Sequence, residues 1–435
     1  MPHHMRRRPA LFGLNRVGLL NPNLLNLGLL VALAALLPPT LARAQDDTPL
    51  LRLGLSTTAQ VNSNRALDAG DPGSTTDLTT RLDLLWRLAT PIQTLDISAD
   101  VGLRAASGAE ADDLDTGIVD PRLRLSYTRR ARDAELDTSL VYQERDVFAS
   151  ELQFDPVTAD FNLLDTGGTQ RLLSFDTRLE MRRRAPFGIT VSVGASTVRY
   201  RDTTDPDLTD EDRFRAGLDL RFDLNPATRA TLGARLSTFE DFGTPEGRRD
   251  TVTVSGSLVR TMPNGSAGLT TSYTDTEDGN RFSLSASRSF ETEGWEATGT
   301  LGLSRETSGD IVAIGGLDLS YELPRGALSA GFDRSVRSGT DDQEEEVTTL
   351  DLGYQTQLTP LTSFDARVSF TDRNATGAGD DGQFGTVSLG VDRRLTRDWS
   401  LNVGLEHRFS DTTSNGRVND NLLRIGLRRD LLARR

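Results

Sequence analysis

Charged side chains of both signs recur at alternate positions along much of this chain. In residues 95–104 and 214–224, apolar residues alternate with Asp, Ser, Gly or Arg. All 49 basic residues are arginine, because the sequence contains no lysine. A guanidinium can pair with a carboxylate through two hydrogen bonds and can contact polar solutes in the same way. The spacing therefore predicts an extended polar face of Arg and Asp, suited to ion pairing and to contact with solutes.

Residues suited to catalysis or to metal binding are scarce. His407 is the only histidine after residue 44, no G-x-S-x-G motif occurs, and cysteine is absent. A serine hydrolase site is therefore disfavoured and a thiolate metal site is excluded. The acidic stretches 202–212 and 341–346 lack the ligand spacing of a calcium loop. We predict neither an enzyme nor a bound cofactor, and we interpret His407 as a residue at the rim of an apolar face.

The alternating segments are predicted to be β-strands with one apolar and one polar face, because successive side chains of a strand point to opposite sides. On the apolar face, aromatic residues collect near the strand ends. Trp86, Trp295 and Trp399 lie beside short turns, and Phe409 lies at an opposite end. A soluble β-sandwich would show the same alternation, but two aromatic rows are typical of barrels that cross a membrane.

Nine short turns and ten looser, mostly acidic loops divide the chain from residue 50 onward into twenty such segments. The short turns carry residues that tight turns favour, such as Pro263-Asn264-Gly265 and Pro324-Arg325-Gly326. Short turns at one edge and longer loops at the other are the layout of a transmembrane β-barrel. We predict an all-β fold: a single antiparallel transmembrane β-barrel of about 20 strands (18–22), with both termini on the periplasmic side.

Residues 1–44 are predicted to be a cleaved signal peptide. They carry five arginines and no acid, an apolar run from 27 to 37, and the small-residue motif Ala42-Arg43-Ala44. The apolar run is shorter than the roughly 20 residues that a membrane-spanning helix needs. The predicted mature region, residues 45–435, is therefore more acidic than the whole chain, whose formal charge is −14. An acidic chain without lysine disfavours nucleic acid as a partner.

These features occur together with Leu-Thr turns at 358–360 and 395–397 that precede aromatic-led strands. In this pattern the chain resembles the outer-membrane β-barrel porins of proteobacteria, some of which are associated with exopolysaccharide export. The resemblance covers the region after the signal peptide and involves no single specific motif. It implies location in the bacterial outer membrane, and contact with membrane lipid, lipopolysaccharide and the barrel-assembly machinery. Porin-like barrels are often trimers, so a homo-oligomer is compatible with it. The family commonly ends in Phe or Trp, whereas this chain ends in Ala433-Arg434-Arg435, and Leu431 is the candidate for the terminal role.

The polar face is predicted to line the interior of the barrel. Strand parity assigns ten arginines to this lumen: Arg81, Arg104, Arg124, Arg178, Arg182, Arg221, Arg235, Arg367, Arg424 and Arg428. The loop at 146–168 is the longest, and by resemblance to the third external loop of general porins it is the candidate for a constriction. Its acids Asp155, Asp160 and Asp165 could face the arginines and create a transverse field, and an ordinary surface loop is the alternative.

Barrels of 16–18 strands already leave an aqueous channel. We therefore expect a porin-like channel for passive or weakly selective diffusion of small polar solutes. Two alternatives stay open at this point. One is an outer-membrane barrel component of exopolysaccharide secretion, working with export partners, and the other is a structural or surface barrel whose lumen is blocked.

Overall fold

The computed structural model describes residues 50–434 except 66, 68–69, 71–72, 148–153, 156–159, 162–166, 204–207, 244–246, 278, 339–343, 376–380 and 414–415. The predicted signal peptide, residues 1–44, lies outside the described residues and stays a prediction. Within the described ranges the secondary structure is almost entirely β-strand, with one short 3-10 turn at Ala111–Asp113. No helix in this part of the chain is long and apolar enough to cross a membrane.

Twenty long strands form the sheet, and two short strands pair only with each other. The strands are β1 (Leu50–Asn62), β2 (Thr75–Thr90), β3 (Gln93–Gly108), β4 (Gly117–Arg130), β5 (Ala134–Asp146), β6 (Phe154–Asp155), β7 (Asp160–Phe161), β8 (Thr169–Met181), β9 (Phe187–Arg201), β10 (Glu211–Asn225), β11 (Thr228–Asp241), β12 (Arg248–Met262), β13 (Gly265–Thr276), β14 (Gly279–Thr292), β15 (Trp295–Arg305), β16 (Ile311–Leu323), β17 (Gly326–Ser338), β18 (Glu344–Thr359), β19 (Thr362–Ala375), β20 (Gly382–Arg394), β21 (Trp399–Thr412) and β22 (Gly416–Arg434).

The sheet closes on itself. Each long strand pairs antiparallel with the next long strand along the chain, and β22 pairs with β1 from Leu51↔Arg434 to Asn62↔Leu422. A closed sheet has no free edge, so the backbone groups of every strand have partners on both sides. The predicted antiparallel barrel of about 20 strands is confirmed. The alternatives of 18 and 22 strands are wrong, because the ring contains 20.

The connections differ between the two edges of the barrel, which we call the short-turn edge and the long-loop edge. Gly265 follows one of the short turns at φ 122°, and a Cβ there would lie 2.1 Å from the carbonyl oxygen of Ser289. Only glycine fits such a turn without displacing the next strand. Not every connection at the other edge is long. Those between β13 and β14 and between β21 and β22 are as short as the turns, which corrects the expectation of ten longer loops.

Apolar and polar side chains are distributed in the opposite way to a soluble globular protein. On the outward face, Ile118 is 80 % exposed and Leu301 is 79 % exposed, whereas Thr75 and Asp420 are completely buried. The few buried apolar side chains of the described residues lie near the long-loop edge: Leu67, Leu114, Val119, Val147, Val347, Phe384, Val418 and Leu422. A continuous exposed apolar band of this extent is unfavourable in water and suits a lipid environment.

Aromatic rings meet across neighbouring strands at both edges of this band. At the short-turn edge the ring centroids of Trp295 and Tyr321 are 4.3 Å apart. Toward the long-loop edge Phe370 lies 6.3 Å from Phe409. Aromatic side chains favour the boundary between hydrocarbon and water, so these rows mark the limits of the apolar band.

Candidate functional site

The candidate site is the concave inner wall, on which side chains from non-adjacent strands converge. Arg428 of β22 donates to Asp83 of β2 at 2.9 Å, so this ion pair passes over β1. The residue beneath it on β1 is Gly54, where a Cβ would lie 2.7 Å from both partners. Glycine therefore leaves the space through which an ion pair spans three strands.

A second pair crosses a strand in the same manner. Arg215 of β10 lies 3.4 Å from Asp176 of β8, and Gly194 of β9 lies between them in the same row. A Cβ on Gly194 would come within 2.5 Å of the Asp176 carboxylate. Both pairs lie on the face opposite to the exposed leucines, which identifies that face as the inner one.

A β-bulge aims one carboxylate into the densest part of the inner wall. Pro121 has no N–H to donate to β3, and the register shifts between Asp100 and Gly102. Asp120 has φ 49° and accepts hydrogen bonds from Arg104 at 2.6 Å and from Arg81 at 3.3 Å. Asp120 therefore joins two of the predicted lumen arginines from one position.

The ten arginines assigned to the lumen are not equivalent in the structure. Arg81, Arg104 and Arg424 line a cavity of about 480 Å³ beside β1–β5 and β22. Arg178 and Arg235 line a second cavity of about 550 Å³ against β4, β5 and β8–β11. Register places the remaining members Arg124 and Arg367 on the same inner face, and Arg428 there pairs with Asp83 as described above.

Two of the ten arginines lie at the short turn between β8 and β9. Arg221 donates to the carbonyl oxygens of Arg182, Arg183 and Ala185 at 3.2, 2.7 and 3.1 Å, so it stabilises this turn from the inner face. Arg182 does not lie on the inner wall. It follows the end of β8 with φ 56°, and its guanidinium carbon is 5.3 Å from the ring centroid of Phe187, which belongs to the outward aromatic row. Its placement in the lumen is wrong, because strand parity ends where the turn begins.

The connection between β1 and β2 folds onto the inner wall at the long-loop edge. The Asp420 carboxylate accepts hydrogen bonds from the backbone N–H groups of Ser63 and Asn64, both at 2.9 Å. Arg65 is buried, pairs with Asp77 and lines the first cavity. We call residues 63–65 with Asp420 and Asp77 the inner latch. Burial has the largest effect on Arg65 and lowers the pKa of its guanidinium, while the Asp77 carboxylate acts in the opposite direction.

The Asp420 carboxylate also accepts hydrogen bonds from side chains of the barrel strands. Arg408 donates to it through Nε at 3.1 Å, and the Asn62 amide donates at 3.2 Å. Asp420, Arg408 and Asn62 are all buried. A buried carboxylate needs this number of donors to remain charged, so the latch and the wall share one electrostatic network.

Opposite this charged region, the inner wall carries almost only hydroxyl groups. Four consecutive inner positions on each of β12 to β15 are Ser, Thr or Gly: Thr251, Thr253, Ser255, Ser257, Gly268, Thr270, Ser272, Thr274, Ser283, Ser285, Ser287, Ser289, Thr298, Thr300, Gly302 and Ser304. We call this set the hydroxyl wall. Its side chains pair across strands, with Ser272 Oγ 2.8 Å from Ser283 Oγ and Thr253 Oγ1 3.1 Å from Thr274 Oγ1.

The hydroxyl wall lies across the barrel from the ion-paired inner face of β22 and β1 to β4, which carries Arg81, Asp83, Asp100, Asp120 and Arg428 and which we call the charged wall. In the ring of 20 strands, β12, β13, β14 and β15 lie ten strands, in either direction, from β22, β1, β2 and β3, respectively. Ion pairs therefore line the charged wall, and small neutral donors and acceptors line the four strands that face it. Neutral hydroxyls exert a weaker field than ionised groups, and their short side chains leave more free space.

Arg122 and Arg124 on β4 contact no carboxylate within the described residues. Arg122 and Arg124 are exposed to the inner space of the barrel, opposite Asp100 and Ser98 of β3 in the register. Asp100 is engaged by Arg81 at 2.7 Å. These two guanidinium groups are therefore available to solutes.

The predicted constriction loop is described only in part. Asp155 and Asp160 pair in the two-residue hairpin of β6 and β7. Asp165 lies outside the described residues. The sequence reasoning missed both the inner latch and the hydroxyl wall. The wall could have been found from the alternating Ser and Thr of residues 251–304, whereas the latch has no comparable sequence signal.

No protein-family model matches the chain, and no curated protein matches its sequence. Among solved structures, the siderophore receptor PirA from Pseudomonas aeruginosa has 9% identity and a TM-score of 0.49, with 88% of this chain and 80% of that chain covered. OpdL from the same organism has 14% identity and a TM-score of 0.42, over 88% of this chain and 99% of that one. A BenF-like porin from Pseudomonas fluorescens Pf-5 has 11% identity and a TM-score of 0.44, over 88% and 99%. At these TM-scores the similarity carries no argument about the fold, which is established by the strand pairing.

Proposed function

We propose that this chain is a porin-like channel of the bacterial outer membrane, through which small polar solutes diffuse passively. The observation that carries the proposal is the closed ring of 20 strands, apolar on its outward face and polar on its inner face. A barrel of this size cannot be filled by its own wall side chains, because rings of 16–18 strands already leave an aqueous channel. Closed barrels are also one of only two structures that satisfy all backbone groups within lipid.

The division of the inner wall supports weak selectivity over a wide range of polar solutes. The charged wall is dominated by neutralised pairs such as Arg81 with Asp100 and Arg428 with Asp83, so its net field is small. The hydroxyl wall offers donors and acceptors to neutral solutes that exchange hydrogen bonds with water. Together they favour passage of small hydroxylated and zwitterionic molecules without a tight binding site.

The direct test is single-channel recording of the purified full-length protein in a planar bilayer, combined with swelling of vesicles in neutral sugars. We expect steady conductance that increases with salt concentration and swelling that decreases with sugar size. An absence of openings would contradict the channel and favour a structural barrel with a blocked lumen. Sugar flux that requires a periplasmic partner would favour the secretion component instead.

Charge reversal of Arg122 and Arg124, which have no carboxylate partner within the described residues, should change ion selectivity. In the double variant Arg122→Glu/Arg124→Glu, we expect the permeability ratio of chloride to potassium to fall by roughly two- to tenfold, because two positive charges facing the lumen become negative. Reversal potentials in a salt gradient measure this ratio. Arg305→Glu is the matched control, since Arg305 is exposed on the outward face, and it should leave the ratio unchanged.

A further inference from the structure

The outward face carries a row of arginines at the short-turn edge. Its members are Arg129 on β4, Arg260 on β12, Arg288 on β14, Arg393 on β20 and Arg429 on β22. Each shares the strand parity of exposed apolar side chains, as Arg260 does with Val254 and Leu258. Their guanidinium groups therefore extend from the surface that faces lipid in the proposed function, and not into the lumen.

No acid accompanies these arginines on that edge. Where the described strands meet short turns, their outward positions include no Asp or Glu, and none of the five arginines contacts a carboxylate in the described part of the chain. The inner wall shows the opposite arrangement, with most arginines ion-paired. Unpaired guanidinium groups beside an apolar band are costly unless an anion neutralises them.

Two of the arginines are neighbours across one strand. Arg260 and Arg288 both lie opposite Ala267 of β13, so their backbones are roughly 10 Å apart and a small side chain separates them. Arg288 is held toward the turn, because its Nη2 donates to Asn264 Oδ1 at 2.9 Å and its Cζ lies 4.3 Å from the Phe290 ring centroid. Both side chains therefore lie on the outward face, on either side of Ala267, at the boundary of the apolar band.

A second pair lies on the two strands that flank the strand of Trp399. Arg429 lies directly opposite Trp399, with its Cζ 5.3 Å from the ring centroid. Arg393 lies on the other neighbouring strand, β20, where its register partner is Leu401, two residues from Trp399. An indole ring with arginines on both neighbouring strands provides an apolar surface for an acyl or glycerol segment and cations for a headgroup.

We propose that these two pairs bind the phosphate groups of anionic phospholipids in the leaflet at the short-turn edge. Arginine suits this role because its planar donors match phosphate oxygens bidentately and its long stem reaches from the apolar band to the headgroup level. A row of one sign favours anionic over zwitterionic headgroups, since both phosphate and net charge are then attracted. The inference depends on the membrane location in the proposed function, but not on conductance.

The test is native mass spectrometry of the purified protein in micelles that contain equal amounts of phosphatidylglycerol and phosphatidylcholine. We expect the wild-type protein to retain phosphatidylglycerol preferentially. Each double variant, Arg260→Gln/Arg288→Gln and Arg393→Gln/Arg429→Gln, should lower the retained fraction by about fivefold or more. Arg305→Gln is the matched control, because Arg305 is an exposed outward arginine at the long-loop edge, and it should retain the lipid as the wild type does.

Unchanged single-channel conductance of the double variants shows that the barrel is intact. A wild-type protein that inserts and conducts but shows no preference between the two lipids overturns this inference and leaves the channel proposal in place. Retention of phosphatidylglycerol by both double variants at the wild-type level overturns it as well. Failure of the wild-type protein to insert into any bilayer would overturn both proposals.

Discussion

Replacement of Ala286 by Arg is expected to destabilise the barrel by about 2–4 kcal/mol and to reduce the folded fraction, because it puts a cation on the lipid face near the middle of the apolar band. Ala286 lies on β14 midway between the outward rings of Phe282 and Phe290, and its register neighbours are Leu269 and Leu301. Urea titration in lipid vesicles, followed by the heat-modifiable mobility of folded barrels, measures the loss. Leu218→Arg and Val403→Arg, also on the outward face, should behave alike.

The control uses the preceding residue on the same strand. Ser285→Arg introduces the same side chain on the hydroxyl wall, where a cavity of about 340 Å³ receives it, so the stability should change by much less. Equal losses for the two variants would contradict the assignment of faces. Since a shift of one residue exchanges the two faces of a strand, this comparison tests the register directly.

Removal of the Asp420 carboxylate is expected to release the inner latch. In Asp420→Ala, the N–H groups of Ser63 and Asn64 lose their acceptor and Arg408 loses its buried partner. Breaking a buried ion pair from one side typically costs about 3–5 kcal/mol. Because residues 63–65 fold onto the inner wall, we expect the freed segment to move and the single-channel conductance to increase, with more frequent fluctuations.

Asp275→Ala provides the comparison for this result. Asp275 also lies near the long-loop edge, but it is exposed on the outward face of β13. Its removal should alter neither the stability nor the conductance. A conductance of Asp420→Ala equal to that of the wild type would show that residues 63–65 do not narrow the channel, even if the variant is less stable.

The sequence predicted the barrel well because each strand carries its own evidence. The alternation of residues 95–104 predicts a strand without reference to any neighbouring strand, and turn sequences such as Pro263-Asn264-Gly265 predict where the chain reverses direction. When every strand pairs with the next one along the chain, local signals determine the whole topology. The prediction of ten longer loops was wrong in detail, since several connections at the long-loop edge, such as those between β13 and β14 and between β21 and β22, are as short as the turns.

The inner site was less predictable, because strand parity predicts the face of the sheet on which a side chain lies but not the residues that it contacts. Asp120 reaches Arg104 and Arg81 through a bulge at Pro121, which shifts parity within β4. Arg182 failed for a related reason, since its strand ends one residue earlier and its positive φ redirects the side chain toward Phe187. Strand patterns do not encode bulges and turn conformations of this kind.

By itself, the sequence determined the class of fold, the strand number and the polar or apolar character of each face, because a period of two is a local property of the backbone. The tertiary structure decided which residues meet. Closure brings Asp83 of β2 to Arg428 of β22, Asp420 to the backbone of residues 63–64, and the hydroxyl wall to a position opposite the charged wall. These contacts join residues that are far apart in the chain, so they depend on ring closure, register and curvature, which no single segment specifies.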